Sequence, residues 1–480
     1  MLYILSIFFS FLVFSNADPF VCNGTISISA PANLNNSVYY PNNWNESLTL
    51  QQYALNQNCR WNIEVPQGYW AYMTISASTP SPSSLNVIYA NGKEQNVYET
   101  VANNPFAFIA PKFSIVLNAT GSKVGTLGFK ISYIPMPDFK PDSHLLSATD
   151  PEIITDLTAC VITAPTSQVS LVASNSASVS FYYLTRLFVV YDGPNTNSSY
   201  LGTLYDVLQT GTQLVSSGKQ LTVINLFPAL NNLGNYIMVQ DYSNVKQFSN
   251  YRFNYCITNI CSMYMDATKG SAAVVTLSTA NVFLNSVEIP QTSSLSIYYG
   301  AIKNSNIVHT YKSNNTMFSQ KLNNYMTTFV LDSGNGTVGI SYQNQLSNWM
   351  DAKDGKTGYI TSPKYGILSP YQAVAETFTG DDYYNYTTRI VNHGLIGTAT
   401  LQITTHDKAL KVVDDHTYTK DNLPPTTQDV HPGKSLSITY MTNGENTTGV
   451  LLDFSIVKTQ ENGAGFCMLW ITVIISLCFL

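Results

Sequence analysis

Apolar and polar positions along this chain alternate with the period of two that marks strands. The clearest run is Cys59, Trp61, Ile63 and Val65, separated by Arg60, Asn62 and Glu64. Such alternation places one set of side chains on the buried face of a half-exposed strand. Pro66-Gln67-Gly68 predicts a turn after it, because Pro fixes φ and Gly permits φ > 0, and Tyr69 to Ile75 predicts the next strand. Phe113 to Leu117, Phe188 to Tyr191 and Leu221 to Leu226 are short apolar runs bounded by Gly, Pro, Asn and Ser clusters, and read as further strands. No helix longer than about three turns is predicted outside the two ends. Leu208 to Leu214 is too short to assign and holds Gly211. Short, regularly spaced strands with turn signals predict an all-β chain of tandem antiparallel β-sandwiches.

Composition adds a compartment. Charged residues are 11% of the 480 residues, against about 25% in ordinary globular proteins. The net charge of −6 over this length argues against a nucleic-acid partner. Hydrophobic content of 45% and aromatic content of 12% are ample for buried cores, so the low charge does not mean disorder. Leu2 to Phe14 is an almost unbroken apolar run, and Ser15-Asn16-Ala17 supplies small residues for cleavage before Asp18. This predicts a secretory signal peptide over 1–17, although a basic start is missing. Phe466 to Leu480 is a second apolar stretch without charge. It is shorter than the about 20 residues of a membrane span. A glycosylphosphatidylinositol (GPI) signal is expected there, with Asn462 and Gly463 as attachment candidates; the usual spacer is missing. A short terminal membrane helix and soluble secretion are the alternatives. The remaining 445–460 residues or so suggest two to four domains. Asn23, Asn35, Asn45, Asn118, Asn197, Asn314, Asn335, Asn385 and Asn446 open Asn-x-Ser/Thr sequons, of which only part are expected to carry glycans.

Tyr39-Tyr40-Pro41, Trp44-Asn45, Cys59-Arg60-Trp61-Asn62-Ile63 and Pro66-Gln67-Gly68-Tyr69 follow one another in an order that resembles the opening of the nematode CUB-like domain family. The resemblance covers roughly Val21 to Tyr133. It implies a secreted or surface jelly-roll sandwich over 18–134, an association with innate immune responses to pathogens, and a Cys22–Cys59 disulfide. It implies no ligand. The Pro-rich stretch Pro135 to Pro141 reads as a linker. Tyr191-Asp192-Gly193, Leu201-Gly202 and Ser216-Ser217-Gly218 then resemble the turns and strands of an ordinary CUB domain, expected over 148–260. Gly358 to Tyr365 resembles the opening of another, expected as a cysteine-free sandwich over 349–458. The stretch 262–348 is β-like and matches no motif; a degenerate repeat would fit it. Secreted cysteines usually pair. Cys160 is expected to pair with Cys256 or Cys261, leaving one of those two over; a Cys256–Cys261 loop that leaves Cys160 alone is the alternative.

Many CUB domains bind calcium, so the resemblance can be checked residue by residue. The position six before Asp192, where an acid is needed, is Arg186, and a cation cannot ligate calcium. No Glu lies in 168–187 to complete the set, and Asp192 and Asp241 are read as turn residues. Asp351 to Thr357 fits neither a phosphate loop nor an EF-hand and reads as an exposed turn. Gly380-Asp381-Asp382-Tyr383 reads as a solvated loop. His144, His309, His393, His406, His416 and His431 are scattered, without a metalloprotease or nucleophile-elbow motif. Trp61 and Trp70 are read as packing residues, with Trp44 undecided between packing and contact. No catalytic residue, metal ligand or cofactor is expected. The chain reads as a non-enzymatic, glycosylated cell-surface or secreted CUB-like protein. By the resemblance it acts in the innate immune response to bacteria through a protein or glycan ligand. A GPI anchor would place it in the outer leaflet, in membrane rafts. The alternatives are an adhesive extracellular-matrix protein and a secreted hydrolase.

Overall fold

The computed structural model describes residues 19–459, apart from 23, 98–104, 139, 176–181, 231–234, 255–259, 278–281, 313–318 and 342–347. The expected signal peptide, Asn23, Cys256, Asn314, Asn462 and Gly463 lie outside the described residues. Among the described residues no helix is long and apolar enough to cross a membrane. The chain forms two compact units, 1–148 with 152–243, and 149–151 with 244–480.

The first unit opens with strands β1 (Gly24–Ile28), β2 (Val38–Tyr40), β3 (Gln57–Glu64), β4 (Tyr69–Ser78), β5 (Ser84–Ile88), β6 (Glu94–Asn96), β7 (Phe106–Ile109), β8 (Lys112–Ala119) and β9 (Thr126–Pro135). They build two sheets, β1-β3-β8-β5-β6 and β2-β9-β4-β7. The period-two pattern is realised in β3, where Cys59, Trp61 and Ile63 are buried while Arg60 and Glu64 face solvent. The expected turn follows, with the Tyr69 amide donating to the Pro66 carbonyl at 3.1 Å and Gly68 at φ +79°. Trp61 meets Phe129 and Tyr40 edge-on in the core between the sheets.

The same unit continues with β10 (Asp142–Leu145), β11 (Glu152–Ile154), β12 (Ala159–Thr163), β13 (Val169–Asn175), β14 (Phe188–Asp192), β15 (Ser199–Thr203), β16 (Leu214–Val215), β17 (Gln220–Asn225) and β18 (Asn235–Asp241). Their sheets are β10-β12-β17-β14-β15 and β11-β18-β13-β16. Helix α1 (Leu204–Thr210) joins β15 to β16. A capping box between Thr203 and Asp206 starts it, and Gly211, at φ +63°, ends it.

The second unit holds β19 (Asn250–Phe253), β20 (Ile260–Ala267), β21 (Ala272–Leu277), β22 (Val282–Glu288), β23 (Ser294–Tyr299), β24 (Ile307–Lys312), β25 (Gln320–Leu322), β26 (Met326–Leu331) and β27 (Gly334–Ser341). Their sheets are β19-β21-β26-β23-β24 and β20-β27-β22-β25. Strand for strand, this is the order of the first and second sandwiches. In all three the first strand runs parallel to the third, and the other pairings are antiparallel. The stretch without a motif is therefore a third copy of the same nine-stranded sandwich. Its first strand, β19, lies inside the range expected for the second domain, and β10 lies before that range.

The chain ends with β28 (Thr357–Thr361), β29 (Ala373–Asn392), β30 (Thr400–His406), β31 (Val412–Tyr418), β32 (Asp429–Met441) and β33 (Leu451–Thr459). They form one six-stranded sheet, β28-β33-β29-β32-β30-β31, where two facing sheets were expected. The 20-residue β29 explains the difference: it pairs with both β32 and β33, which keeps the strands in one continuous ladder. Gly380-Asp381-Asp382-Tyr383 is part of this strand, at a register shift between Thr379 and Tyr384, and not a loop.

Candidate functional site

Within the first unit the two sandwiches share an apolar junction. Trp70, Ala107 and Ile109 of the first pack against Leu187, Val189 and Ile224 of the second. Arg186 enters the same junction and is only 4% exposed. Its guanidinium lies 3.9 Å from the Phe106 ring centroid, 4.4 Å from Tyr205 and 4.8 Å from Tyr183. Beside this junction opens a groove of about 610 Å³, lined by Gly68, Tyr69, Asn91, Ile109, Met136, Tyr191, Tyr200 and the 196–199 loop. Its lining carries no charged side chain. Aromatic and aliphatic walls with amide and hydroxyl groups between them suit a neutral peptide or a sugar more than an ion.

The three positions tested for calcium have other occupations. Arg186 is the cation of the junction. Asp192 ends β14, and its Oδ1 accepts the Ser217 amide at 2.8 Å, which ties this strand end to the turn before β17. Asp241 is more than a turn residue: it ends β18 fully buried. Its Oδ2 accepts the Thr166 amide at 2.8 Å, the Thr166 hydroxyl at 2.7 Å and the Ser167 amide at 3.0 Å. Its Oδ1 accepts the Ser167 hydroxyl at 2.5 Å and the Ser243 amide and hydroxyl at 3.0 and 2.6 Å. Burial alone would raise this carboxyl, but the Ser167, Ser243 and Thr166 donors outweigh it and hold Asp241 far below its ordinary value. Six donors use up the lone pairs that a cation would need.

Cys22 and Cys59 are disulfide-bonded, with 5.7 Å between their Cα atoms. The expected bridge from Cys160 does not form. Cys160 is a free, fully buried thiol, pushed up to about 12 by burial, and Cys261 is disulfide-bonded elsewhere. The register supplies the reason. Cys59 stands opposite Gly24, the first residue of β1, and Cys160 stands opposite Asp142, the first residue of β10. Cys22 lies two residues before Gly24; the same place before Asp142 is Lys140. Cys160 thus occupies the place of Cys59 without its partner.

Asn35, Asn45, Asn118, Asn197, Asn335 and Asn446 are exposed. Asn385 is half-buried in β29, between β32 and β33. Asn197 sits on the groove. Trp61 and Trp70 are fully buried, and Trp44 is 5% exposed, so all three pack. The 351–357 stretch turns at Gly355, but Lys356 is buried. Its ammonium donates to the carbonyls of Asn348, Trp349 and Asp351 at 3.0, 2.5 and 2.9 Å, and burial pushes it down to about 8. Asp382 pairs with Lys458 at 2.8 Å on the surface.

One cluster was missed in the sequence. Asp414, His416 and His431 bring their ligand atoms within 4.8 Å of one another. Asp414 and His416 are two residues apart on β31 and so share a face. His431 arrives from β32. The i, i+2 spacing was a visible signal, but the third member depends on strand pairing.

The chain carries a CUB-like domain: a family model of that description matches 17–137. Models described as domains of unknown function, DUF7592 and DUF7591, match 145–226 and 241–343. These fall on the second and third sandwiches. No curated protein matches the chain. Among solved structures, the CUB1-EGF-CUB2 domains of rat MASP-1 are 9% identical, over 42% of this chain and 98% of that one, with a TM-score of 0.17. The full extracellular region of zebrafish Gpr126/Adgrg6 is 9% identical, over 92% of this chain and 53% of that one, with a TM-score of 0.19. CUB-like domains are typically extracellular modules that bind proteins, and 17–137 of this chain is a domain of that type.

Proposed function

We propose that this chain is a glycosylated cell-surface or secreted protein of the innate immune response to bacteria, acting by binding a protein or glycan. The CUB-like domain over 17–137 carries the reading. The uncharged, aromatic-walled groove beside it is the contact surface the reading assigns. Glycans on exposed sequons away from the groove, such as Asn35, Asn45 and Asn335, add hydration to a surface poor in charge. The nematode CUB-like resemblance supplies the immune association, and the apolar tail supplies a GPI anchor in raft domains of the outer leaflet. Two experiments test this. Purified protein is incubated with bacterial cells and with a panel of bacterial and host glycans. Tyr69→Ala should weaken binding by about thirtyfold, as expected for an aromatic anchor at a contact centre. Unchanged binding moves the site off the groove, and no binding to any bacterial surface or glycan sinks the immune reading. Phosphatidylinositol-specific phospholipase C on intact cells should release the protein; protein found only in the medium removes the anchor.

A further inference from the structure

We propose that Asp414, His416 and His431 form a binding site for one divalent transition-metal ion of the zinc class, on the last sheet of the chain. Strand β31 lies at the edge of that sheet, beside β30. Its alternation turns Asp414 and His416 to one side, while Asp415 turns to the other and is held by Gln402 and Thr404. On the first side waits His431, fully buried near the start of β32. Asp414 Oδ2 lies 2.7 Å from His431 Nδ1, and Asp414 Oδ1 lies 2.9 Å from His416 Nε2. The two imidazole centroids are 5.3 Å apart and their planes cross at 69°, so both rings aim nitrogens at the one carboxylate.

The donor set selects the ion. Two imidazole nitrogens and a carboxylate suit zinc and its neighbours, whereas calcium and magnesium take oxygen. Metal–ligand distances of about 2.0–2.2 Å place tetrahedral ligand atoms about 3.4 Å apart. The Asp414–His431 and Asp414–His416 pairs would open by about 0.7 and about 0.5 Å, which the partly exposed Asp414 and His416 on an edge strand can supply while His431 stays in place. His431 is oriented from behind, as metal-binding histidines usually are. Its Nε2 lies 3.0 Å from the buried Thr388 hydroxyl, with Asp429 at 3.9 Å. With Nε2–H donating to Thr388, the Nδ1 lone pair faces Asp414 and the ion. Exposure of Asp414 and His416 gives the ion a path in. Three protein ligands leave a fourth position for water or for a carboxylate or imidazole of a partner.

The same three side chains hydrogen-bond to one another when no ion is bound, so affinity separates a metal site from a hydrogen-bonded triad. Untagged full-length protein is titrated with Zn²⁺ by calorimetry and with Co²⁺ by visible absorption. One Zn²⁺ per chain and a tetrahedral Co²⁺ ligand-field spectrum are expected. Asp414→Asn and His416→Gln should each weaken Zn²⁺ by at least about tenfold. His393→Gln, outside the cluster, should leave it unchanged. His431 is spared because removing a fully buried ring can unfold the sheet, and near-UV circular dichroism checks that the other variants fold. No Co²⁺ spectrum, or equal Zn²⁺ affinity in wild type, Asp414→Asn and His416→Gln, overturns the proposal.

Discussion

In the first sandwich β1 is tied to β3 by Cys22–Cys59. In the second, β10 pairs with β12 in the same parallel way, Cys160 stands where Cys59 stands, and Lys140 stands where Cys22 does. The second sandwich is fastened elsewhere, by Asp241 and its six donors, which join the turn before β13 to the end of β18. One strand order is thus closed by a covalent link in one copy and by a buried anion in the next. The third copy has neither cysteine at these places; Ala272 stands opposite Asn250, and Phe248 lies two residues before it. The shared topology follows from alternating strands and the apolar cores between the sheets. The fasteners are additions, and each can be removed to see what the strand order is worth without it.

The largest effect is expected from the covalent link. The disulfide closes 37 residues of chain, which the loop-entropy estimate values at about 4 kcal/mol. Cys22→Ala with Cys59→Ala should lower the stability of the first sandwich by that order, measured by denaturant unfolding. Exchange protection should fall first in β1 and β3. A double variant as stable as wild type would mean that strand pairing alone closes the sandwich.

Asp241→Asn comes next. The amide replaces one acceptor by a donor that faces other donors, at a cost of about 2–4 kcal/mol. The pH dependence has a definite sign. A carboxyl held below its ordinary value of 3.8 stabilises the fold above that pH, and the contribution is lost as pH falls through the folded value. Wild type should therefore lose second-sandwich stability in acid more steeply than Asp241→Asn. Parallel acid profiles would show that the six donors do not fasten this copy.

Lys140→Cys tests the comparison from the other side. It should form a bridge to Cys160 and stabilise the second sandwich by about 2 kcal/mol, below the ideal for a loop of this length because engineered bridges distort their surroundings. Protection of both thiols from alkylation reports the bridge. Two free thiols in oxidised protein would mean that β10 and β12 do not repeat the geometry of β1 and β3.

These cases also show what the residue pattern could reveal. β3 was legible because Cys59, Trp61 and Ile63 alternate within one strand. The third sandwich was not, since its identity lies in which strands pair, and β19 pairs with β21 across a gap without a motif. Asp241 read as a turn residue because its partners, Thr166 and Ser167, lie some 75 residues away in sequence. Lys356 read as exposed because a polar turn surrounds it, while the carbonyls that hold it come from a bend made only in the folded chain. Arg186 was seen to forbid calcium, but nothing local tells that Phe106, from another sandwich, lies under it.

The smallest effect is expected at that arginine, where the two sandwiches meet. Three rings within 5 Å of the guanidinium make a cation–π clamp. Arg186→Met keeps an apolar stem of similar length and removes the charge, so the loss should be about 1–2 kcal/mol. Arg186→Lys should recover only part of it, because an ammonium cannot lie flat between rings as a guanidinium does. The pair Arg186→Met and Phe106→Leu should couple by about 1 kcal/mol in a double-mutant cycle of unfolding free energies. A coupling near zero would leave the junction to Trp70, Leu187, Val189 and Ile224 alone. The arginine would then differ from Asp241 in kind: a polar residue tolerated at the seam, not one that helps to hold it.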